Sequence, residues 1–307
     1  MVPFNVNVLI PLIIVSENEH DLASGFLRFF EIDRVAEEAE RLASLGMKRC
    51  KLYVKTHADL KDLSASAGLE KDALMVRAIQ AILDAVPDMD IGTEVCACAY
   101  SSAGECVITA PDGVADAATH RLVREMAVLH ADAGATTVVA GLTHDGSIAA
   151  IREGLDASGH KNVSVMGSVQ LRTSFYGPYR QMMGTEPEAG ETFRSHILPV
   201  DVDGVVEKAR QHVAEGADSL SIQPALLGSP LISAIKKHVQ VPVVTYSVST
   251  ELHLVRGNAP DLWLAPGKEG ILVEYYNMLL QSGADGVQSY VAGDLAAWME
   301  QQLVTHP

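Results

Sequence analysis

Apolar residues gather along the chain in eight short, β-branched runs. They are Val8–Val15, Arg49–Thr56, Asp90–Ala97, Thr136–Leu142, Asn162–Gln170, Ser219–Ala225, Pro242–Ser249 and Gly286–Ala292. Between them lie longer amphipathic stretches, and that alternation predicts βα units around a parallel sheet. Eight strands are enough to close a barrel. The junctions repeat too: Ser44-Leu45-Gly46-Met47, Asp132-Ala133-Gly134-Ala135, Ala214-Glu215-Gly216-Ala217 and Gln281-Ser282-Gly283-Ala284 each separate a helical stretch from a strand. Glycine there supplies the left-handed residue that ends a helix. An open doubly wound sheet is the alternative, but no GxGxxG or Walker A sequence supports it. The expected fold is a single (β/α)8 TIM barrel, one domain over residues 1–307. Its longest interruption, Thr173 to Val200 after the fifth strand, is expected to be an active-site lid.

Composition narrows the function. A formal charge of −16 argues against nucleic acid and against an anionic membrane surface, both of which call for basic patches. No run approaches the 18 apolar residues of a membrane span. Val8–Val15 lacks a preceding basic region and a small-residue cleavage site, so it reads as a core strand rather than a signal peptide. Three of the four cysteines (Cys50, Cys96, Cys98, Cys106) fall close together. That is no disulfide framework, and a reducing cytoplasm is expected.

The same cysteines carry the strongest chemical signal. Cys96, Cys98 and Cys106 follow the third strand, on the face where barrels place their active sites. Three thiolates suit zinc and leave a fourth position open. The turn through Ser101, Ser102 and Gly104 would have to bring the third cysteine back to the other two. Three incidental buried thiols are the alternative. Glu94, two residues before Cys96, is either an acid or base beside the metal or an ion-pair partner deep in the barrel. In the fifth strand, alternation sets Ser168, Gln170 and Arg172 on one face. Arg172 suits a carboxylate of a substrate, or an internal bridge to Glu94 or Asp145. Gln223 holds the equivalent place on the sixth strand. Lys51 and Lys55 share a face of the second. Asp145 is a candidate helix cap, and His144 reads as a loop histidine rather than a ligand.

Taken in order, these residues resemble the porphobilinogen synthase (5-aminolevulinate dehydratase) family over nearly the whole chain. The segments that carry the resemblance are Glu94 to Cys106, Phe175-Tyr176-Gly177-Pro178-Tyr179-Arg180, Gly216 to Ala225, and Tyr246 to Glu251. The resemblance implies a zinc held by Cys96, Cys98 and Cys106. It implies substrate binding by Tyr176, Arg180, Ser249 and Tyr290, the last two at a carboxylate. It also implies two lysines that capture 5-aminolevulinate as Schiff bases, and here those positions are Gln170 and Gln223. Thr192 and Val202 stand where lid arginines are expected, Ala103 in place of a histidine and Ser147 in place of an arginine. An amide nitrogen forms no imine. The family's N-terminal arm, which supports larger assemblies, has little or no counterpart before Val8, so a homodimer is expected.

The resulting expectation is a zinc enzyme of the lyase or condensing type, working in a specialised pathway without lysine imines. Glu94, Gln170, Arg172 and Gln223 would form its catalytic set, with Ser168 helping to bind a small amino or keto acid through its carboxylate. The alternatives are a non-catalytic zinc-binding relative and an authentic 5-aminolevulinate dehydratase. The last would need another lysine in the barrel mouth.

Overall fold

The computed structural model describes residues 5–17, 26–257, 260–264 and 270–305. Eight parallel strands form its centre: β1 (Leu9–Ser16), β2 (Arg49–Lys55), β3 (Asp90–Val95), β4 (Thr137–Ala140), β5 (Ser164–Gln170), β6 (Ser219–Gln223), β7 (Val243–Ser247) and β8 (Gly286–Ser289). Each pairs with the next, and Leu9 and Ile10 of β1 pair with Val287 and Gln288 of β8, which closes the barrel. Every expected strand is present. Most are shorter at their carboxyl ends, where the chain leaves the ladder to build the mouth. A two-residue strand, Phe29–Phe30, adds a parallel edge beside β1 that periodicity did not reveal.

The helices cover the barrel: α1 (Ile32–Ser44), α2 (Leu74–Ala85), α3 (Asp116–Asp132), α4 (Ser147–Ala157), the short α5 (Gly177–Met183) and α6 (Glu191–Arg194), then α7 (Val202–Ala214), α8 (Ala225–Lys236), α9 (Ser249–Arg256), α10 (Ile271–Gln281) and α11 (Ala292–Thr305). Helix α1 shows the logic. Its buried residues Val35, Ala39 and Leu42 recur at helical spacing, which gives one apolar stripe against the sheet. At the four repeated junctions Gly46, Gly134, Gly216 and Gly283 have φ of +77°, +110°, +104° and +103°, a region that residues with a Cβ rarely enter. The segment expected as a lid is not one long loop: α5 and α6 lie within it.

Strand β5 needs a glycine at one point of this packing. A Cβ on Gly167 would lie 3.1 Å from the His212 side chain, whose Nε2 meets the Ser168 carbonyl at 3.2 Å. Burial lowers the His212 pKa to about 4. The folded value is therefore depressed below the unfolded ~6.5. The stability this histidine confers is full above pH 6.5 and is lost as pH falls toward 4, because the unfolded chain takes up the proton first. In His212→Gln, urea unfolding between pH 6.5 and 5 should show a pH dependence shallower than the parent's by up to about 1.4 kcal/mol per pH unit. An unchanged slope would show that His212 is already charged in the fold.

Candidate active site at the mouth of the barrel

Cys96 follows β3 in extended conformation, and Ala97–Ala99 then make a single 3-10 turn. The turn swings Cys98 back toward Cys96, and the two sulfurs lie 3.0 Å apart. The chain returns through Gly104, at φ +66°, which packs so closely on the lid that a Cβ would sit 2.2 Å from the Glu186 carbonyl oxygen. Cys106 thereby joins the others, and all three sulfurs lie within 4.8 Å of one another. Donation from Cys96 and then Cys98 holds the Cys106 thiol well below its ordinary pKa against the cost of burial, and the nearby Arg180 guanidinium adds to this. Three soft donors at this spacing fit a thiophilic metal.

The lid is fastened to this loop. Buried Glu105 accepts from the backbone N–H groups of Glu191 (3.1 Å) and Thr192 (2.7 Å), so it caps α6 with charge-assisted bonds. The Thr192 hydroxyl accepts from the Cys106 N–H at 2.8 Å. Glu188 N–H donates to the Ala103 carbonyl at 3.1 Å, and Lys61 Nζ to the Gly184 carbonyl at 2.8 Å. Thr192, which stands where the resemblance expects a lid arginine, is thus committed to holding the thiol loop.

Beneath the loop is an enclosed, largely apolar cavity of about 60 Å³, several times the ~10–15 Å³ that one water requires. Its lining includes the three thiols, Glu94, Gln170, Tyr176, Arg180, Thr185, His196, Gln223 and Tyr246. Glu94 is the ion-pair partner expected of it. It faces the cavity, and its Oε2 lies 2.6 Å from Lys51 Nζ, with side chains 17% and 4% exposed respectively. Gly141 makes room for it, since a Cβ there would be 2.0 Å from Glu94 Oε1. The Lys51 ammonium also sits 4.6 Å from the Tyr53 ring centre. Burial lowers the Lys51 pKa and raises that of Glu94, while their mutual attraction opposes both shifts.

Gln170 reaches the cavity wall with its amide already used. Its Oε1 accepts from the Thr143 hydroxyl at 3.1 Å, and its Nε2 donates to the Gly141 carbonyl at 3.1 Å. Gln223 also lines the cavity, and its backbone carbonyl accepts from Tyr176 Oη at 2.8 Å. Arg172 corrects the strand reading. The ladder ends at Gln170, and beyond it alternation no longer directs side chains inward. Arg172 is exposed and donates to the carbonyls of Phe193 (3.0 Å) and Arg194 (3.4 Å), the open end of α6. It bridges neither Glu94 nor Asp145 and does not line the cavity.

Ser168 is buried one layer deeper. Ser249 and Tyr290 are buried beside the cavity rather than in its lining; Tyr290 shares a hydroxyl hydrogen bond with Tyr246, and the Ser249 hydroxyl has no partner. Arg180 is buried, donating to the Thr185 carbonyl at 3.2 Å, with Nη2 3.9 Å from the Cys106 sulfur. Asp145 pairs with Lys208 and does not cap α4, whose N-cap is Gly146. His144 is tied to Ser147 and Asp116, away from the thiols. Sequence reasoning did not find Glu105, Thr185 or His196. All three act through the folded lid, and nothing in their spacing announces it.

Comparison with known proteins agrees with this geometry. The family model described as "Delta-aminolevulinic acid dehydratase" matches residues 5–298. The delta-aminolevulinic acid dehydratase of Escherichia coli is 29% identical over 95% of this chain and 90% of its own length. That of Halalkalibacterium halodurans is 29% identical over 88% of this chain and 82% of its own. The Toxoplasma gondii enzyme, solved in complex with porphobilinogen, superposes with a TM-score of 0.90 at 26% identity, covering 97% of this chain and 86% of that one. A barrel with its thiol loop and clamped lid, matched along almost its whole length, places this chain in the delta-aminolevulinic acid dehydratase family.

Proposed function

We propose that the protein is a lyase or condensing enzyme of this family that uses zinc and acts on a small carboxylate-bearing amino or keto acid without a lysine imine. The observation that carries the reading is the juxtaposition of three sulfurs within 4.8 Å of one another with a cavity lined by Gln170 and Gln223, the positions that the resemblance gives to the imine-forming lysines. Cys96, Cys98 and Cys106 would hold the metal. When bound, zinc supplies Lewis-acid polarisation of a carbonyl or carboxylate oxygen. Arg180 is the one cation in the lining among the described residues, and it suits the ligand's carboxylate. Glu94, kept close by Lys51, is the lining's carboxylate and is placed to hold or return a proton at Oε1.

A non-catalytic role has one observation in its favour: both polar ends of the Gln170 amide are consumed by the barrel wall. Calorimetry of the zinc-loaded protein against 5-aminolevulinate, levulinate, pyruvate and oxoglutarate separates the readings, with proton NMR following any acid that binds. Binding of at least one acid, weakened by zinc removal and followed by its consumption, is the expected result. Binding without consumption favours the non-catalytic role, and no binding at all overturns the substrate class.

A further inference from the structure

His196 lies under the lid with its ring 4% exposed as a residue, lining the same cavity as the thiols. It sits edge-on to Tyr176 and Phe193, with ring centres 5.6 Å away in each case and interplanar angles of 67° and 84°. That packing fixes the ring yet offers it no hydrogen bond. Neither Nδ1 nor Nε2 has a partner, whereas His130 and His212, the other fully buried histidines among the described residues, each bond through one nitrogen. Two more unpartnered buried polar atoms belong to neighbouring lid residues that line the cavity, Arg180 Nε and Thr185 Oγ1. Leaving a buried polar group unsatisfied costs stability. A fold that needed only bulk between Tyr176 and Phe193 would be served better by a phenyl ring.

We propose that His196 is a specificity-determining residue, one ring nitrogen of which hydrogen-bonds a hydroxyl of the ligand close to the carboxylate end held by Arg180. This deepens the proposed function and rests on it for the carboxylate. Burial keeps the imidazole neutral near pH 7, with its pKa lowered to about 4, so the ring presents one N–H donor and one bare nitrogen acceptor. A hydroxyl can donate to the bare nitrogen or accept from the N–H, and a methyl group can do neither. A site built this way discriminates strongly against the analogue that lacks the group, because its own buried polar atoms are then left unpaired.

Two readouts on zinc-loaded protein test the proposal, with His196→Phe and His196→Gln. The first needs no ligand. If the ring nitrogens are unpaired in the free protein, His196→Phe should keep its full zinc content and unfold in urea at the same or a higher midpoint than the parent. A clear loss of stability or of zinc would mean that the imidazole has a structural partner, and would overturn the proposal. The second compares 2-hydroxy-4-oxopentanoate with levulinate, which lacks the hydroxyl beside the carboxylate. The parent should bind the hydroxy acid at least tenfold more tightly, His196→Phe should lose that preference, and His196→Gln should restore part of it. A preference surviving in His196→Phe overturns the proposal. If neither acid binds the parent, the substrate reading fails on its own, and the urea midpoint and zinc content still decide the role of His196.

Discussion

Replacing Cys98 with serine is expected to strip the protein of its metal. Binding of structural zinc is worth ~10–16 kcal/mol in small four-ligand sites, so one thiolate of such a set accounts for about 3 kcal/mol. Its loss should weaken binding by ~100-fold. Serine keeps the shape of the side chain but offers a poor ligand, since a hydroxyl is harder than a thiolate and far more reluctant to lose its proton. The local geometry argues that the loss will not be repaired. Cys98 reaches Cys96 only through the Ala97–Ala99 turn, while Cys106 is locked from the other side by Thr192 and Gly104. No fourth thiol can swing in, because Cys50, the remaining cysteine, is buried on β2. Metal analysis after purification without added zinc should find close to one zinc per chain in the parent and a small fraction of that in Cys98→Ser. Stoichiometric zinc in a variant lacking all three thiols would remove the assignment.

How much of this was legible in the sequence depends on how local the determining interactions are. Strand positions, the repeated glycine junctions and the cysteine cluster rest on short-range periodicity and spacing, and all reappear in the fold. The carboxyl ends of the strands did not read correctly. Alternation persists in the sequence past Gln170, yet the hydrogen-bond ladder stops there, and Arg172 is drawn outward to the carbonyls closing α6. Glu94 was legible as a residue with two possible roles, of which the fold shows the ion pair. Pairing it with Lys51 requires β2 and β3 to be adjacent and Gly141 of the next segment to yield the space. The lid was visible only as an interruption. Its fastening through Glu105, Thr192 and Glu188 joins residues more than 80 positions apart, and no pattern within either segment encodes that distance.

The second large effect concerns the two glutamines. The protein is expected to make no porphobilinogen from 5-aminolevulinate at a measurable rate. An imine would hold the first substrate covalently and make the following step intramolecular, an advantage that reaches ~7–11 kcal/mol with good geometry. It would also provide an electron sink. A glutamine hydrogen bond contributes on the order of 1 kcal/mol net, and the Gln170 amide has already spent both ends on Thr143 and Gly141. Restoring lysines as Gln170→Lys with Gln223→Lys should therefore recover little. The new ammonium at position 170 would face a wall built to satisfy an amide, and Thr192 is engaged in holding the thiol loop rather than a substrate. Lys51 is the one lysine inside the barrel beside the cavity among the described residues, and its amine is committed to Glu94 at 2.6 Å. A pyrrole colour assay on the parent and the double variant checks both statements. Substantial turnover by the parent would mean that capture occurs by a route that the glutamines do not block.

Borohydride reduction of the zinc-loaded protein in the presence of 5-aminolevulinate, followed by intact mass and peptide mapping, tests the absence of an imine most directly. The predicted result is a chain of unchanged mass under conditions in which a delta-aminolevulinic acid dehydratase that forms the imine is trapped quantitatively. A reduced adduct on Lys51, or on any other lysine facing the barrel mouth, would contradict it.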